Sequence, residues 1–165
     1  MRRRRGPSDP PSDISTGAIR AAALRLLGRR DYTHTELSAK LTTRGYPGDV
    51  VREVLAQLAA DRLVDDRRAA AAHVRTASRI KGRGRQRIAR ELTARGVDED
   101  VAADALGQIS PDDERAVLRR LLTRSPLPPH PTPADRRRLF QRLVRRGFSI
   151  DLVAKMLRYG PDEDD

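Results

Sequence analysis

The sequence contains no cysteine and no tryptophan. Without cysteine there are no disulfides, no thiolate nucleophile and no cysteine-ligated zinc. Three tyrosines and two phenylalanines are too few rings for a thick, ring-filled core. Histidine is equally scarce. His34, His73 and His130 stand far apart, with no i, i+4 pair that would ligate a metal from one helix face. No Ser-His-Asp set occurs in a strand–turn–helix context that would position a nucleophile. No apolar run approaches the ~18 residues of a membrane span. Arg2 to Arg5 could open a secretion signal, but PSDPPSDIS follows where an apolar stretch is needed. The expectation is a cytoplasmic protein without catalytic equipment, metal or cofactor.

Positive charge is what the chain has in excess. Lysine and arginine number 34 against 23 acidic residues, a net charge of +11 in 165 residues. Such a balance points to a polyanionic partner: nucleic acid, an acidic protein surface, or both. Only Lys40, Lys81 and Lys155 are lysines. The remaining cations are arginines, whose planar fork grips phosphate and carboxylate.

The patterning is helical nearly throughout, and period-2 alternation is sustained nowhere, so no sheet is assigned. Internal repetition organises the chain. LTTRG ends at Gly45, LTARG at Gly96 and LVRRG at Gly147, a spacing of 51 residues both times. The same offset aligns Leu37, Ile88 and Leu139, then Leu41, Leu92 and Leu143. An apolar residue follows each glycine (Tyr46, Val97, Phe148), and an acid recurs at Asp49, Asp100 and Asp151. The unit reads as a short helix closed by a left-handed glycine, then a second helix with an acid in its first turn. Thr33 with Glu36 forms a capping box. Thr132, Pro133 and Asp135 do the equivalent in the third unit.

A leading helix precedes each pair. The organisation predicted is a disordered basic tail at 1–15, three-helix units at 16–64, 65–109 and 110–159, and an acidic tail at 160–165. The fold class is all-α: three tandem three-helix repeat units in an elongated, curved array. A compact globule of this length has a radius of gyration near ~15 Å. Small-angle scattering from a chain lacking both tails should give a clearly larger value, and the globular value would reject the array.

The acidic clusters at Asp98–Asp100 and Asp112–Glu114 each open a helix, where the dipole selects acids, so they are not read as metal sites. The cations are more informative. KGRGRQRIAR, residues 81–90, places Lys81, Arg83, Arg85, Arg87 and Arg90 around two glycines at a helix start, where they oppose the dipole. That local cost suggests a partner supplying negative charge. On this reading, glutamine at the first four positions leaves the melting temperature unchanged or slightly raised, weakens binding and makes its salt dependence shallower. A second block holds Arg136, Arg137, Arg138, Arg142, Arg145 and Arg146, around the core-facing Leu139 and Leu143. These eleven residues are the candidate contacts to nucleic acid or another polyanionic partner.

Four stretches carry a resemblance to a known family: AAALRLLGRRDYTHTELSAKLTTRGY with VVREVLAQL, DRLVDDRRAAAAHVRTASRIKGRGRQRIARELTARGV, DDERAVLRRLL, and RRLFQRLVRRGFSIDLVAKMLR. Together they resemble the bacterial RecX family, regulators of the recombinase RecA, over about residues 18–158. One departure stands out: the family pattern has Phe and Tyr where this chain has Ala69 and His73. Those rings would fill the middle unit. The resemblance implies a monomer of three tandem units that binds the RecA filament on single-stranded DNA. It implies inhibition of ATPase, strand exchange and filament growth in recombinational DNA repair and the SOS response. A stand-alone helix-turn-helix repressor is the alternative. A repressor would carry a polar, base-reading second helix, whereas residues 48–58 and 99–108 bear alanines and acids.

Overall fold

The computed structural model describes residues 13–159. The acidic tail and all but the last three residues of the basic tail lie outside this range. The described residues contain nine α-helices and one π-helical turn, and no β-strand. The helices are α1 Thr16–Leu27, α2 His34–Thr43, α3 Gly48–Ala60, α4 Asp66–Arg75, α5 Arg85–Ala94, α6 Glu99–Gly107, α7 Pro111–Arg124, α8 Pro133–Arg145 and α9 Ile150–Tyr159. The π-helical turn, Thr76–Ile80, continues α4.

By compactness the chain divides into two units. The first runs to Ala70 and takes in Arg95–Val97; the second holds Ala71–Ala94 and the chain from Asp98 onward. Side chains explain why the start of α4 goes with the first unit. Asp66 accepts a hydrogen bond from the His34 amide at 2.8 Å, and Arg68 donates to Asp31 at 2.8 Å.

In the first unit, Ser15 caps α1 by accepting from the Ala18 amide, and Thr33 with Glu36 forms the capping box expected for α2. The helical spacing of Ile19, Ala23 and Leu26 on α1, Leu37 and Leu41 on α2, and Val51, Leu55 and Leu58 on α3 brings one face of each helix into a common core. In the second unit, Val117 and Leu118 of α7, Leu139 and Leu143 of α8, and Val153 and Met156 of α9 close around Phe148, which is fully buried. Ser110 with Asp113 and Thr132 with Asp135 cap α7 and α8, each with proline at the first helical position.

The 51-residue repeat reappears as a repeated contact. Within the first unit the Thr33 hydroxyl donates to the Arg95 carbonyl at 2.7 Å. Within the second, the Gly84 amide donates to the Arg146 carbonyl at 2.8 Å. Donors and acceptors both step by one repeat. Each acceptor precedes a left-handed glycine, Gly96 at φ +68° and Gly147 at φ +93°. A Cβ on Gly147 would lie 2.4 Å from the Arg87 amide nitrogen, so both the conformation and the close approach require glycine here.

The π-helical turn has no counterpart in the sequence reading. The Lys81 amide reaches the Thr76 carbonyl at 3.1 Å, an i→i+5 bond. The widened turn ends at Gly82, φ +58°, and leaves Ile80 79 % exposed.

Candidate nucleic-acid interface

The cations of residues 81–90, contiguous in sequence, are dispersed by the fold. Arg83 and Arg87 both bind the Glu91 carboxylate on α5, Arg87 at 3.0 Å, and the His73 ring nitrogen lies 3.0 Å from the same group. Arg85 turns away from its own helix. Its guanidinium donates to the carbonyls of Leu106, at 2.8 Å, and Ile109, at the C-terminal end of α6, where a cation suits the dipole. Its amide is taken by Glu114 at 2.9 Å. Arg90 lies exposed on α5 and reaches only the Gln86 carbonyl. The cost attributed to cations at this helix start is therefore met inside the molecule for Arg83, Arg85 and Arg87. The expectation that replacing them leaves stability unchanged gives way to the opposite one.

Ala69 and His73, where the resemblance led to the expectation of rings, are both buried. The place of one ring is filled by an imidazole held on Glu91. Burial pushes the Glu91 carboxyl up, but the hydrogen bonds from Arg87, Arg83 and His73 outweigh it and hold the group below the usual carboxylate range. A folded pKa below the unfolded one contributes stability above the unfolded value, near ~4.3, and loses it as pH falls through the folded value. Glu91→Gln should therefore melt below wild type at pH 7, and the gap should close below about pH 4. Thermal melts across that range check this; a gap independent of pH would show that Glu91 does not act through its charge.

Three of the expected cations do converge. Lys81, Arg142 and Arg146 line one cleft of ≈ 330 Å³ within the second unit, joined there by Arg120 and Arg124 of α7. Among the described residues, no aspartate or glutamate lines it. Short bonds to neutral oxygens orient the arginines. Arg146 donates to the Lys81 carbonyl at 3.2 Å and the Gly82 carbonyl at 3.3 Å, Arg142 to the Ser125 hydroxyl at 3.1 Å, and Arg120 to the Arg79 carbonyl at 2.6 Å. Because these acceptors are uncharged, the cations keep their charge for an external anion.

Arg142 also lines a shallower groove of ≈ 340 Å³ with Arg138 and Arg145. Arg138 lies 3.9 Å from Asp135 with its side chain 81 % exposed. Arg136 and Arg137 are exposed on α8 and line neither cleft. Among the described residues neither cleft carries an aromatic ring, so these residues would grip a strand by its phosphates and not by stacked bases.

Arg120 and Arg124 were missed from sequence. Their i, i+4 spacing on a helix whose apolar face holds Val117, Leu118 and Leu122 was the available signal. Among the described residues no group of three or more His, Asp or Glu side chains is placed to hold a metal ion. No described helix is long and apolar enough to cross a membrane.

Comparison with known proteins places this geometry in a family context. The first three-helix domain of RecX matches residues 20–58, and the second three-helix domain of RecX matches residues 65–106. The regulatory protein RecX of Halorhodospira halophila is 42 % identical over 155 residues, covering 90 % of this chain and 91 % of that protein. The regulatory protein RecX of Mycobacterium tuberculosis is 38 % identical over 158 residues, covering 91 % of each. The crystal structure of RecX from Lactobacillus salivarius shares the fold. Its TM-score is 0.72 at 23 % identity, over 87 % of this chain and 94 % of that one.

Proposed function

The chain belongs to the RecX family of regulatory proteins, and from that premise we propose that it binds the RecA–single-stranded DNA filament and suppresses ATPase, strand exchange and filament growth. It does so as a cytoplasmic monomer and catalyses no reaction itself. The observation that carries this reading is the convergence of Lys81, Arg120, Arg124, Arg142 and Arg146 in one cleft with no carboxylate among its described lining residues. Such a cleft accepts a phosphodiester backbone without reading its sequence, as a DNA-bound filament of arbitrary sequence requires.

The cations supply affinity that falls with salt, and the arginines supply fixed forks for phosphate oxygens. The remaining surface of helical repeats supplies contact area for protein. A regulator of this kind acts by binding and not by turnover, and a copy that blocks growth or promotes loss acts on many protomers at once.

The test is RecA ATP hydrolysis on poly(dT) with this protein titrated in. Hydrolysis should fall at protein concentrations well below that of RecA, because one bound copy affects growth or loss of many protomers. A fall only when the protein is sufficient to coat the free DNA would instead indicate simple competition for the strand.

A further inference from the structure

A second groove of the second unit has a different chemistry. The end of α4, the π-helical turn, the end of α6 and the first half of α7 enclose ≈ 430 Å³. Its floor is aliphatic: Val74, Ile109 and Val117 line it and are buried. Its rim carries three arginines, Arg75, Arg79 and Arg120, against one acid, Asp113. That acid is already engaged. It accepts from the hydroxyl and the amide of Ser110, and these bonds, with a smaller pull from the Arg79 charge, hold its carboxyl below the usual range. Arg75 and Arg79 are exposed, and neither forms an ion pair with a described residue.

No aromatic ring lines the groove among the described residues, so a nucleobase would find none of them to stack on. An apolar floor is of no use to a phosphate chain either. The combination fits a peptide in which one large apolar side chain is flanked by carboxylates: the side chain leaves water for the floor, and the carboxylates take the arginine forks. We infer that this groove docks an acidic segment of a partner protein, anchored by one apolar side chain. Arg120 lines both this groove and the cation-lined cleft. The two surfaces thus meet at one residue, one suited to a phosphate backbone and the other to protein. The identity of that protein as a filament component rests on the proposed function; the chemistry of the groove does not.

The probe is a fluorescein-labelled peptide with one phenylalanine between two runs of glutamate, followed by anisotropy with the full chain. Three comparisons read the groove: the same peptide with alanine for phenylalanine, Ala116→Trp, which fills the groove without altering charge, and the double variant Arg75→Glu, Arg79→Glu. Each should weaken binding by about tenfold or more. All three substituted residues are exposed, and oligo(dT) binding within about twofold of wild type shows that each variant folds and keeps its cleft. Equal affinity for the two peptides, or peptide binding untouched by Ala116→Trp, would overturn the inference. RecA-coated DNA separates the two readings. If wild type takes up the peptide but not the filament, the filament reading fails and the groove stands. If the filament binds wild type and Ala116→Trp equally, the groove is not the contact to RecA.

Discussion

Gly84→Ala should unfold the second unit at temperatures where wild type is intact. A Cβ at this position would sit 2.4 Å from the carbonyl carbon and oxygen of Gly147 and from the Phe148 amide nitrogen. All three are backbone atoms, so no rotamer change relieves the clash. Relief requires the two segments to part. That breaks the Gly84–Arg146 bond at 2.8 Å and the Gln86–Gly147 bond at 3.0 Å, and opens the core around Phe148. The expected loss is about 3 kcal/mol or more, a fall in melting temperature on the order of 10 °C. Gly107→Ala is the control. Nothing lies within 4 Å of its Cβ, and alanine there should leave stability unchanged or raise it by up to ~1 kcal/mol. Calorimetry of the three proteins decides; equal melting temperatures for wild type and Gly84→Ala would remove the joint from the account of stability.

The second large effect separates binding cations from folding ones. Arg124→Glu with Arg142→Glu reverses two charges in the cation-lined cleft. Neither guanidinium forms an ion pair with a described residue; Arg142 reaches only the Ser125 hydroxyl. Stability should change by no more than about 1 kcal/mol, chiefly through the dipole at the end of α7. Affinity for oligo(dT) and for RecA-coated DNA should fall about ten- to a hundredfold at moderate salt. The salt slope on single strands should drop by about 0.7 for each phosphate no longer neutralised. The triple change of Arg83, Arg85 and Arg87 to glutamine should do the reverse. It strips Glu91 of both guanidinium partners and uncaps α6, at a cost of about 2–4 kcal/mol, while the cleft keeps its five cations. If the triple variant loses binding and keeps its melting temperature, the assignment of roles is inverted.

These contrasts also show where sequence reading reached its limit. The helix–glycine–helix units were legible because their signals are local. Thr33 and Glu36, or Thr132 and Asp135, are three residues apart, and apolar spacing at i, i+4 needs no knowledge of neighbours. The convergence of Lys81 with Arg142 and Arg146 was not legible, since 61 or more residues separate them and only packing brings them together. The same holds for Arg85, whose carbonyl partners lie 21 and 24 residues away. A charge run carries no mark of which members will find an acid. Glu91 stands eight residues beyond Arg83 and eighteen beyond His73, and only the fold brings both to the carboxylate that Arg87 reaches from one helical turn away. The π-helical turn was silent for another reason: TASRI has no residue that favours an i→i+5 bond over an i→i+4 one.

The joint between Thr33 and Arg95 has a consequence for synthesis. The acceptor is made 62 residues after the donor, and Arg95–Val97 belong to the first compact unit. While the ribosome is still translating the middle of the chain, α1 to α3 can already bury their common core and Thr33 can already cap α2, but the Thr33 hydroxyl proton waits for the Arg95 carbonyl to arrive. Glu36 waits with it, since Arg95 is one of its two guanidinium partners. The nascent first unit is thus completed by a segment of the following repeat. A truncated product ending between residues 65 and 94 would lack the acceptor of the Thr33 hydroxyl and the second guanidinium of Glu36, and one ending just past Val97 would have both.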